Sequence, residues 1–172
     1  MSDIRERIEK DEGSLQRLMS YIPGFIGYRE RQIRRKADQL VRDHLVGLLD
    51  EIRSTLKGTI SKWANEGRLE QLDALDRLLG RLTKARDNLR FADYGYTGWF
   101  DAVKIKEEQL DSLYDYDLRL RGEITDIDKA VQNLAAAGEE ELAEGMAAAA
   151  EQVAQLQHAI DHRGEITAGL VP

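Results

Sequence analysis

Three histidines are the only imidazoles in the chain, and only His158 and His162 have the i, i+4 spacing that lets two side chains on one helix face chelate a metal ion. They lie off the neighbouring apolar stripe of Leu156 and Ile160, so two solvated surface histidines are the simpler reading and no resident metal or cofactor is expected. A di-metal bundle would need Glu-x-x-His on two helices with two further inward carboxylates, and that pattern is missing. His44 stands beside Leu45 and Leu48 and reads as a partly buried imidazole with a hydrogen-bond partner. No Ser, His and Asp set is recoverable from one histidine per region, and no glycine motif that cradles phosphate occurs. Catalytic residues are therefore not assigned, and a non-enzymatic role is expected.

Two charged residues interrupt apolar seams. Asp117 breaks the run of leucines and isoleucines from Leu110 to Leu134, and Arg86 fills the gap between Leu82 and Leu89. A carboxylate alone in such a seam would be destabilising, whereas a buried ion pair can fix helix register. The expectation is that Arg86 and Asp117 meet, the competing reading being an Asp117 that faces solvent at a seam edge.

A third constellation is basic. Arg29, Arg31, Arg34, Arg35 and Lys36 follow an apolar turn over residues 21–28, and Arg31, Arg34 and Arg35 share a helix face. Beside Ile22, Phe25 and Ile26, these cations suit an acidic protein partner or an anionic membrane surface. Neutralisation inside the chain competes with both, because Asp93, Asp101, Glu107, Glu108, Asp111, Asp115 and Asp117 cluster in the segment that antiparallel packing brings back. Residues 91–103 hold five aromatics and two glycines, more than a helix connection needs. Tyr94, Tyr96, Trp99 and Phe100 are the kind of side chains that anchor interfaces, or that cap the end of a bundle.

The elements that must position these groups are helices. Two prolines, 6% aromatic and 33% charged residues, with leucine and alanine supplying most apolar content, fit long packed helices and not sheets. The apolar positions Ala37, Val41, Leu45, Leu48, Ile52, Leu56, Thr59 and Trp63 repeat over eleven residues, which keeps one stripe on a nearly straight helix over residues 28–65. Gly67 marks its end, and Leu69, Leu72, Leu75, Leu79, Leu82 and Leu89 mark a returning helix. A heptad seam runs from Leu110 to Leu134, Gly138 reverses the chain, and Leu142, Met146, Ala149, Val153, Leu156 and Ile160 form a last stripe. A shorter helix is expected over residues 3–20, ended by Pro23 and its glycines. The expected fold is all-α, an elongated antiparallel helical bundle with coiled-coil-like packing, forming one domain over residues 1–167. Residues 168–172, Ala-Gly-Leu-Val-Pro, look like the front of a thrombin-site linker and are set aside.

A formal net charge of −7 disfavours nucleic acid as a partner, since phosphate affinity is built from accumulated cations. Without cysteine there is no disulfide framework, thiolate nucleophile or Cys-based zinc site. No signal-peptide core and no run of about 20 apolar residues occurs, so a cytoplasmic location is the default expectation. The segments Ile22-Pro-Gly-Phe-Ile-Gly-Tyr-Arg-Glu-Arg-Gln-Ile-Arg-Arg-Lys-Ala-Asp38 and Arg90-Phe-Ala-Asp-Tyr-Gly-Tyr-Thr-Gly-Trp-Phe-Asp-Ala-Val-Lys104 resemble those of an uncharacterised family of small bacterial helical proteins, over about residues 20–120. That resemblance implies a bacterial cytoplasmic protein and brings no activity, cofactor or catalytic residue with it.

The functional expectation is an interaction or scaffold protein that docks an unknown protein partner through the aromatic loop and the Arg-rich helix start at residues 28–36. A peripheral membrane or envelope-stress protein binding anionic lipid through residues 21–36 is the alternative, and a metal- or ligand-binding bundle is the third. A homo-oligomer formed by a leftover apolar stripe stays open.

Overall fold

In the computed structural model, which describes residues 13–92 and 106–167, the chain is an all-α bundle, with no strand among the described residues. Residues 13–21 form α1; four long helices follow, α2 (Arg34–Asn65), α3 (Leu72–Arg90), α4 (Glu107–Ala136) and α5 (Glu139–Thr167). The helix α2, at 32 residues, is about 48 Å long.

Local chemistry explains the ends. At the end of α2, Gly67 takes φ +77°, its N–H donates to Ala64 O, and Arg68 N–H donates to Trp63 O. This paired return of amides onto the last carbonyls needs a left-handed residue, which glycine adopts without a steric cost. Glu139, Glu140 and Glu141 place negative charge on the first turn of α5, where exposed amides favour it. The expected helix over residues 28–65 starts later, at Arg34, behind a 3-10 turn at Arg31–Ile33. Residues before that turn are drawn inward instead, since Ile22, Phe25 and Tyr28 all belong to the core.

The long helices occupy the corners of a square: α2 packs on α3 and α4, and α5 packs on α3 and α4. Neighbours in sequence run antiparallel. His44 of α2 meets Arg121 of α4, and Asp38 lies with Asp117 around one arginine, so α2 and α4 run parallel. Asn88 meets Asp161, and Arg77 shares a hollow with Ala147 and Ala150, so α3 runs parallel to α5. The bundle therefore mixes antiparallel hairpins with parallel sides, and α3 and α4 sit on a diagonal, joined at the end where α2 begins.

The seam read from α4 is buried throughout, from Leu110 through Asp117 to Leu134. On α2 the buried arc is wider than one stripe, because two neighbours flank it. Leu49 is fully buried where Leu48 was expected, Leu48 being only partly covered, and Asp38 and Arg42 are inside as well.

Candidate functional site

The end of the bundle where α2 begins holds a buried ionic network. Arg163 of α5 is its centre: Nε donates to Asp117 Oδ1 at 2.6 Å, and Nη2 lies 2.8 Å from Asp38 Oδ1. The phenol of Tyr28 donates to the other oxygen of Asp117 at 2.6 Å and accepts from Arg163 Nη2 at 3.3 Å. Arg42 donates from Nε to Asp38 Oδ2 at 2.8 Å and from Nη1 to the carbonyls of Leu89 and Arg90 at 3.3 Å, placing a cation on the last turn of α3. Two carboxylates and two guanidiniums thus balance, all almost fully buried, across α2, α4, α5 and the end of α3.

Aromatic packing seats the turn on this network. Tyr28 stacks on Tyr114 with ring centroids 5.3 Å apart, and Phe25 meets both rings edge on. The backbone N–H of Tyr28 donates to Tyr114 Oη at 2.7 Å. Arg34 turns back to the turn's own carbonyls, donating to Tyr28 O at 2.7 Å and to Arg29 O at 3.3 Å. On the outer side, Ser14 of α1 bonds to Asp115, and Arg121 lies over the ring of Tyr21.

Burial decides the protonation tendencies here. Desolvation pushes Asp117 above the ordinary carboxylate value, against the lowering pull of Arg163 and the Tyr28 hydroxyl. Burial alone would lower Arg163, but Asp117 and Asp38 outweigh it and hold the guanidinium above its ordinary value. Desolvation, with Asp117 adding to it, pushes Tyr28 well above the usual phenol range. Sealed from water, these groups have no surface from which to meet a substrate. What they do chemically is hold a turn and four helix segments in one register.

Several expectations change. Arg86 and Asp117 do not pair: both carboxylate oxygens of Asp117 go to Arg163 and Tyr28, while Arg86 binds Asp50 Oδ1 at 3.1 Å and Asp87 Oδ1 at 2.7 Å. Their helices lie across the diagonal, so the seam break on α3 faces α2 and not α4. Phe25 is not a docking residue but core, and Arg34 is buried against the turn carbonyls and not offered to a partner. Arg31 and Arg35 do face solvent. Of the acidic segment expected to neutralise the basic run, Asp93 and Asp101 lie outside the described residues, and Asp117 is satisfied by Arg163 and Tyr28. Tyr94, Tyr96, Trp99 and Phe100 lie outside the described residues. His158 and His162 are exposed, His162 sits 3.3 Å from Glu165, and among the described residues no group of three metal-ligating side chains is gathered.

Asp38, Arg42, Arg163, Tyr28 and Tyr114 were not picked out from sequence. The signal for Arg163 was present: it continues the stripe Val153, Leu156, Ile160 at the next interval, and Thr167 follows.

His44 is half-buried as expected, its Nε2 accepting from Arg121 Nε at 3.3 Å. Burial and the adjacent guanidinium lower its pKa from 6.5. As pH falls below that value the unfolded chain takes up the proton first, so this contribution to stability is present above pH 6.5 and lost as pH falls through the folded value. Urea titrations at about pH 7 and about pH 5 are expected to show wild type losing more stability than His44→Gln, and parallel losses would refute the assignment.

No helix among the described residues is long and apolar enough to cross a membrane. Compared with protein-family models, curated proteins and solved structures, the chain finds no match.

Proposed function

We propose that the chain is a non-enzymatic docking module, engaging an acidic protein segment through the end of the bundle that carries the buried network. One observation supports this most. Of the large apolar side chains that stay exposed among the described residues, Met19, Tyr21, Ile26 and Phe91 lie in that half of the molecule, and only Leu69 lies at the far end.

Ile26 is 58% exposed although Phe25 and Tyr28 on either side are buried, so a rigid turn presents it. Arg29 and Arg31 face solvent beside it. An exposed apolar anchor with two exposed arginines three and five positions on matches an acidic segment with hydrophobic residues of its own. Phe91, the first aromatic of the 91–103 segment, is exposed where α3 ends.

A photo-crosslinking side chain at position 26 of the full protein, in native lysate, is expected to capture a specific protein that the same group at position 69 does not. Arg29→Glu with Arg31→Glu should abolish that adduct. Identical adducts from both positions, or adducts indifferent to the charge reversal, would refute the reading. The adjacency of Ile26 to cations also favours an anionic membrane surface as the second reading. Flotation with phosphatidylserine vesicles, salt-sensitive and lost in the same double variant, would decide for it.

A further inference from the structure

The α3 and α5 helices run side by side in parallel, and their outer face carries two shallow hollows. One, of about 310 Å³, lies over Val153 and Ala154; the other, of about 200 Å³, lies over Leu78, Met146 and Ala150. Arg81 borders both. On α5 the small side chains Ala147, Ala150 and Ala154 line these hollows, so another helix could approach closely.

Charge is distributed across this face in a particular way. Its α3 edge is cationic, with Arg77, Arg81 and Lys84 exposed at 4-3 spacing. Along α5, Glu144, Ala147, Glu151 and Ala154 follow at 3-4-3 spacing, with both glutamates exposed. Ala147 and Ala150 share a hollow with Arg77, so Glu144 and Glu151 bracket its level along the bundle. A foreign acidic helix would suit the α3 edge but meet repulsion on the α5 edge. A face with cations on one helix and anions at the same level on its parallel neighbour is complementary to itself.

We propose that two copies of this chain associate through the α3/α5 face about a two-fold axis parallel to the bundle. Under that rotation α3 of each copy lies on α5 of the other, and Arg77 and Arg81 oppose Glu144 and Glu151. The contact is modest. With α3 at 19 residues, about 28 Å long, and two helices about 20 Å wide, roughly 560 Å² per copy is covered. A total of about 1,100 Å² lies at the low end for specific association, so the dimer is weak, concentration-dependent and weakened by salt. Both copies then point their docking ends the same way, although the association does not depend on what those ends bind.

Sedimentation of the full chain over a concentration series tests this. The mass should rise from the 19.5 kDa of one chain toward twice that value. Arg77→Glu with Arg81→Glu should weaken association by about tenfold or more, and so should Glu144→Lys with Glu151→Lys. An equimolar mixture of the two double variants should recover a mixed dimer, which also shows that both remain folded. A wild-type chain that stays monomeric at every concentration, or a dimer untouched by both reversals, would overturn the proposal. Capture of a synthetic Glu-rich amphipathic helix by a chain that never self-associates would overturn it in favour of a foreign helix.

Discussion

Arg163→Met is expected to lower the free energy of unfolding by about 3–5 kcal/mol at neutral pH, measured by urea titration, because it leaves two buried carboxylates without their shared cation. Asp38 and Asp117 both meet Arg163 at hydrogen-bond distance, and each side chain is about as far from water as the chain allows. Arg42 still faces Asp38, so the uncompensated charge falls chiefly on Asp117, left with the Tyr28 hydroxyl as its donor. The pH dependence identifies the cause. Burial already raises the Asp117 pKa, and removing Arg163 takes away the main opposing influence. A folded-state pKa above the unfolded value gives stability that is present at low pH and lost as pH rises through the folded value. The deficit of Arg163→Met should therefore shrink toward acid pH. Adding Asp117→Leu to Arg163→Met should recover much of the loss, since an apolar seam of similar volume tolerates the missing pair. A deficit that is constant with pH would mean that lost packing, not stranded charge, explains the defect.

Gly27→Ala is the second large effect, about 1–3 kcal/mol of lost stability. Gly27 has φ +97°, and a Cβ there would stand 2.7 Å from the Tyr114 hydroxyl and 3.1 Å from Leu15 Cδ1. The hydroxyl cannot retreat without giving up the amide of Tyr28, which would then be buried without a partner. Tyr114→Phe alone should be destabilising for that same reason. Combined, the two substitutions should lose less than the sum of the singles, because phenylalanine lacks the atom the new methyl strikes. Strict additivity in urea titrations would reject the close approach as the origin. Crosslinking from position 26 should fall in Gly27→Ala as well, since the altered turn is the one that presents Ile26.

The helices themselves were plain in the residue spacing. Leu110 to Leu134 predicted α4 and its buried face, and Gly67 and Gly138 marked the reversals. What periodicity cannot convey is which helix lies beside which. The pairing of Asp117 with Arg86 presumed that α3 and α4 adjoin because they follow one another in sequence. α4 stands at the far corner from α3, where α5 offers Arg163. The same limit hid Asp38 and Arg42: a single stripe through Ala37 and Val41 assumes one neighbour, and α2 has two. Phe25 and Arg34 misled for a different reason. An apolar turn followed by arginines has the composition of an exposed docking loop and also of a plug whose carbonyls need donors, and only packing distinguishes them.

The order in which the chain is made adds a consequence. Tyr28 and Arg163 are 135 positions apart yet share one contact network. During synthesis, Asp38, Arg42 and Asp117 emerge well before Arg163, which bridges the two acids. A chain that stops short of Arg163 would hold both acids in a half-built interior, so the arrival of this one side chain should act as a latch. Released chains truncated before and after position 163 should differ sharply in protease resistance.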